Sequence, residues 1–83
     1  MTPDEIARVQ FYLRRLFNNE RIMVDQPKRP NQPGEIRVGE EFIGTLDRDV
    51  DEGEVSYTVT ISILAEDLPA ELPAAPQNPY RRR

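Results

Sequence analysis

Eighty-three residues set a limit of one domain. The chain has neither cysteine nor histidine, which excludes disulfides, Cys/His metal sites and thiol or imidazole catalysis. The net charge of −4 is segregated: residues 1–37 carry seven basic and five acidic side chains, residues 38–72 one and ten, and residues 73–83 three and none. That pattern bears on partners and solubility rather than on fold.

In chain order, Thr2-Pro3-Asp4-Glu5 reads as a helix start. Thr2 can cap, Pro3 suits the first helical position, and Glu5 completes a capping box. Ile6, Val9, Leu13, Leu16 and Phe17 then fall on one stripe at helical spacing. Arg8, Phe11 and Arg15 point the other way, with Arg14 at the flank. Asn18-Asn19 ends the helix, so the spacing predicts a helix over Pro3–Phe17.

Arg21–Asp25 reads as a short strand, with Ile22 and Val24 on one face and Met23 on the other. Gln26–Gly34, with three prolines spaced by three, reads as a loop. Glu35–Val38 and Phe42–Asp47 form a hairpin around Gly39-Glu40-Glu41 in one of two registers. A two-residue turn groups Ile36 and Val38 with Ile43, and a three-residue loop groups them with Phe42 and Leu46. Asp47–Gly53 reads as an acidic turn.

The main strand is Glu54–Ile63. Val55, Tyr57, Val59, Ile61 and Ile63 alternate there with Ser56, Thr58, Thr60 and Ser62, so one face is apolar and one is hydroxyl-rich. The N-terminal helix is the expected cover for the apolar face. Pro69 cannot continue a ladder, and Asp67–Arg83, holding four of the eight prolines, is expected to be disordered. The whole is an α+β domain over residues 1–66, one helix on a three- to four-stranded antiparallel meander, followed by a tail over residues 67–83. A foldable unit this short buries only roughly 60% of its unfolded surface, so self-association is one route to stability.

The segments Thr2-Pro3-Asp4-Glu5-Ile6-Ala7-Arg8, Tyr12–Phe17, Gly39–Leu46 and Ser56-Tyr57 resemble a family of short bacterial proteins classified as a domain of unknown function. The resemblance covers about Met1–Asp67. It implies a small soluble α+β domain and supplies no catalytic or binding residues. The Pro/Ala/Arg tail looks like an extension peculiar to this chain.

Alternating aspartates in Asp47-Arg48-Asp49-Val50-Asp51-Glu52-Gly53-Glu54 suggest a calcium loop, but the sixth and twelfth positions hold Glu52 and Thr58 where glycine and glutamate are required. A solvated acidic hairpin loop is the expectation, and no metal or cofactor is expected. Pro27–Pro33 contains a P-x-x-P pattern, read as a stiff connecting loop. Catalytic motifs such as G-x-S-x-G and the P-loop are absent, and no enzyme is expected.

What is left is binding to a protein partner or to a second copy. The expected surfaces are the outer helix side, Arg8, Phe11 and Arg15, and the hydroxyl row Ser56, Thr58, Thr60 and Ser62. The alternative is a nucleic-acid or ribosome-associated role using Arg8, Arg14, Arg15 and Arg21 with the arginine tail. Neither a membrane-spanning run nor the basic and apolar regions of a secretory signal occur. Absence of cysteine fits a reducing compartment, so the expected location is the cytoplasm.

Overall fold

A computed structural model describes residues 1–72. Helix α1 spans Pro3–Phe17, the range the spacing predicts. At its start the Glu5 amide donates to Thr2 Oγ1 at 3.1 Å, and the Thr2 amide donates to Glu5 Oε1 at 2.9 Å. These two bonds satisfy donors that a helix start otherwise leaves open. Asn18 closes the helix in the left-handed conformation, φ 52° and ψ 48°.

Strands β1 (Ile22–Asp25), β2 (Gly34–Val38), β3 (Glu41–Asp51) and β4 (Glu54–Ile61) form one antiparallel sheet in the order β1-β2-β3-β4. The buried core is Ile6 and Leu13 from α1 with Ile22, Val24, Ile36 and Leu46 from the sheet. Met1, Val9, Val38 and Ile43 pack around it. After β4 comes a single 3-10 turn, Ala65–Asp67. The disorder expected beyond it falls mostly on residues 73–83, outside the described residues.

The β2–β3 hairpin closes through the two-residue turn, the first of the two expected registers, with Ile36, Val38 and Ile43 on one face, and a bulge then shifts the pairing. Val38 pairs with Glu41 across the two-residue turn Gly39-Glu40, and Arg37 pairs with Phe42, but Ile36 then pairs with Gly44. Ile43 is therefore an extra residue, a β-bulge, which resets the alternation of inward and outward side chains. As a result Ile43 packs against the core and Leu46 is fully buried, while Phe42 is left exposed. Both expected registers assumed an unbroken period of two.

The acidic segment also needs correction. Asp47–Asp51 is not a turn: it continues β3 and pairs with residues 58 to 54 of β4. The turn is Glu52-Gly53 alone, with φ of 54° and 84°. Positive φ at both central residues matches the right-handed twist of the flanking strands. Three acids fit in a strand because alternation puts Asp47, Asp49 and Asp51 together on one solvated face.

The helix does not cover the apolar face of β4. It lies against β1, held there by two side chains. Gln10 Oε1 accepts from the Val24 amide at 2.8 Å, and Arg14 Nε donates to the Ile22 carbonyl at 2.8 Å. Ile22 and Val24 alternate with Met23 and Asp25, so these are the backbone groups that β1 turns away from β2. Side chains of α1 thus bond the Ile22 carbonyl and the Val24 amide on the open edge of β1. Leu16 and Phe17, expected in the core stripe, are 58% and 59% exposed.

Two substitutions test this backbone. Asparagine tolerates left-handed φ better than glutamate, so Glu52→Asn should stabilise the domain by about 0.5–1 kcal/mol, read as a higher urea midpoint. A Cβ at Gly44 would lie 2.0 Å from the Thr60 carbonyl oxygen. Gly44→Ala must push β3 and β4 apart and should cost about 2 kcal/mol or more in the same measurement.

Candidate functional site: an open apolar trough and a free strand edge

With α1 held at the β1 side, the sheet's inner face is left open over β4. An open trough runs between α1 and β4 in two stretches of about 330 Å³ each. The first is lined by Glu5, Arg8, Val9, Tyr12 and Tyr57, the second by Phe17, Ile22, Val38, Ile43 and Ile61 among others, and Leu13 and Val59 border both. Tyr12 is 61% exposed, Ile61 50% and Val59 37%. Leu16 follows Tyr12 one turn along the helix on the same side. Val55 and Ile63 extend the apolar row at the two ends of β4, and both are exposed. Tyr12, Leu16, Phe17, Val55, Tyr57, Val59, Ile61 and Ile63 therefore form one apolar surface, although a folded monomer normally scatters such residues.

The β4 backbone adds a second feature. Asp51 and Glu54 close a two-residue hairpin, so they are a hydrogen-bonded pair. Alternation then directs the amides and carbonyls of Ser56, Thr58 and Thr60 toward β3. Those of Val55, Tyr57, Val59 and Ile61 face the free edge, and among the described residues no side chain or loop bonds them. The β1 edge is four residues long and capped by Gln10 and Arg14, whereas the β4 edge is eight residues long and bare.

One end of the trough is polar and fixed. Glu5 Oε2 accepts from Arg48 Nε at 2.8 Å and from the Tyr57 hydroxyl, while its other oxygen serves the capping box. The bonds from Tyr57 and the Thr2 amide, with the Arg48 guanidinium, hold the Glu5 carboxyl at about 2, well below its ordinary 4.5. The hydrogen bond to Glu5 raises the Tyr57 hydroxyl, because a neighbouring carboxylate opposes a phenolate. Glu5 is therefore an anion at neutral pH that ties the helix start to β3 and β4.

Of the residues expected from sequence, Arg8 borders the trough and the others lie elsewhere. Phe11 and Arg15 are on the outer side of α1, with Arg8 at its flank 3.6 Å from Asp4 and the Arg15 guanidinium 5.7 Å from the Phe11 ring centre. Ser56, Thr58 and Thr60 are on the sheet face opposite the helix, where Thr58 Oγ1 donates to Asp49 at 3.0 Å, and Ser62 follows the end of β4. The helix set and the hydroxyl row are thus on opposite sides of the domain and do not form one surface. The four arginines of the alternative reading also diverge. Arg14 is turned to β1, and Arg21 packs against Gly39, away from Arg8 and Arg15. Asp47, Asp49 and Asp51 lie along an extended strand instead of wrapping a loop, and among the described residues no group of three or more acidic side chains is placed to hold a metal ion. Among the same residues no helix is long and apolar enough to cross a membrane.

Sequence reasoning assigned Leu16, Phe17 and the apolar face of the main strand to the core, and gave Tyr12 no place in it. The available signal was excess: Leu16, Phe17, Tyr12 and the five apolar residues of the main strand exceed what one short helix can cover.

The Glu5 network predicts a specific pH dependence. Its folded-state value lies below the ordinary one, so its contribution is complete above about pH 4.5 and is lost as the pH falls toward 2. The melting temperature should fall across that window. Glu5→Gln should start lower and lose less over the same range. Parallel curves for the two proteins would rule out the Glu5 anion as a source of stability.

A family model described as Protein of unknown function (DUF3126) matches residues 5–67. Neither the curated proteins nor the solved structures contain a match. The chain belongs to the DUF3126 family.

Proposed function

We propose that this DUF3126 member is a non-catalytic interaction module whose docking surface is the trough between α1 and β4. The observation that carries the reading is the union of two unpartnered features in one place, an exposed apolar row and a bare strand edge. Burial of such a row is the main favourable term in protein association, and a free edge adds directional backbone hydrogen bonds. Glu5 is the acidic group in the trough, and a carboxyl held at about 2 is a poor proton acceptor at neutral pH. This supports surface burial rather than acid–base chemistry as the mode of action. This reading puts the docking surface in the trough, which Arg8 borders, rather than on the outer helix side at Phe11 and Arg15 or on the hydroxyl row.

Site-specific photo-crosslinking in the source cells tests the assignment. A photoreactive residue replacing Leu16 should give discrete protein crosslinks, whereas the same residue at Phe11 or Thr58 should give few. Equal yields at the three positions, or no crosslinks at Leu16, would remove the trough as the docking surface.

A further inference from the structure

We propose that the occupant of this surface is a second copy of the chain, paired antiparallel along the free edge of β4. Two four-stranded sheets would then join into one of eight strands. The proposal rests on the interaction-module reading above and names its partner.

Three observations favour a second copy. The first is charge. From Val55 to Ala65 the chain carries no charged side chain, so antiparallel self-pairing puts no like charges opposite one another. The edge also lacks the lysine, proline or bulge that commonly blocks such pairing. Glu54, at the turn, stays at the rim. A two-fold axis beside Thr58 sets Tyr57 against Val59 and Val55 against Ile61 of the second copy. That register keeps apolar side chains on the inner face and matches the outward-pointing amides and carbonyls with their counterparts.

The second observation is area. The eight exposed apolar residues of the trough and β4 have surfaces of roughly 150–250 Å² each and are about half exposed, so they present on the order of 800 Å². That is above the ~300–600 Å² of the largest patch on a typical monomer. It equals the ~800 Å² each partner contributes to a standard stable interface. In the joined sheet, Tyr12 and Leu16 of each copy stand over the paired β4 strands, whose inner faces continue one another.

The third is the core. Among the described residues only six apolar side chains are buried. A core this small, without disulfide or Cys/His metal, is the situation in which oligomerisation supplies missing burial. A second copy is the partner present whenever the chain is made.

The test uses the full chain in sedimentation equilibrium and in amide hydrogen exchange read by NMR. Pairing predicts twice the 9.6 kDa chain mass, with a dissociation constant on the order of 10 µM or below. It also predicts that the amides of Val55, Tyr57, Val59 and Ile61 are protected as well as those of Ser56, Thr58 and Thr60. Val55→Lys is placed at the exposed rim of β4, clear of the core. It should weaken association at least about tenfold, while Phe11→Glu leaves it unchanged. A monomer at about 200 µM, or a dimer in which those four odd-numbered amides exchange freely, overturns the proposal. If the chain is monomeric but Leu16 still crosslinks a different protein, the second copy is excluded and the interaction module stands. A monomer with no Leu16 crosslink removes both.

Discussion

The attachment of α1 to the edge of β1 is the constraint on which the rest of the molecule depends. Gln10 and Arg14 supply the backbone partners that β1 lacks on its open side. Each replaces a bond to water with one inside the protein, a modest net gain of about 1 kcal/mol, but the cost of leaving such groups buried and unpaired is larger. The helix is therefore fixed off-centre on the sheet. Ile6 and Leu13 reach the core from that position, and Tyr12, Leu16 and Phe17 do not.

Glu5 makes the second attachment, at the opposite side of the helix. Its carboxylate reaches Arg48 of β3 and Tyr57 of β4 while completing the helix cap. The helix start is thus tied to the far half of the sheet by Glu5, and the helix body to the near half by Gln10, Arg14 and the apolar core. The space between these attachments is the trough. Its lining is apolar because both elements carry apolar residues there, and among the described residues no third element covers them.

Two hairpins determine how β4 is presented. The bulge at Ile43 turns both Ile43 and Leu46 inward, so β3 fills the core and β4 is not needed there. The tight turn at Glu52-Gly53 pairs β4 with β3 over its whole length, so one edge of β4 is fully used and the other is free among the described residues. An edge of this kind invites strand addition unless it is guarded. The β1 edge shows what guarding looks like in this same domain.

Local structure was legible in the sequence because its causes are local. The capping box, the proline at the first helical position, the left-handed asparagine and the period-two strand each depend on neighbours within a few residues, and each is found where it was read, the strand ending two residues earlier at Ile61. The resemblance to a domain of unknown function was legible in the same way, from short segments. What the tertiary structure alone decided is long-range. The bulge depends on how two strands share one core, and the extent of the acidic strand depends on a partner strand to pair with. The helix position depends on Gln10 and Arg14 reaching backbone 14 and eight residues away in sequence. Amphipathic patterning reports that a face is apolar, not what covers it. Here only three-dimensional placement separated the residues that form the core from those left open at the surface.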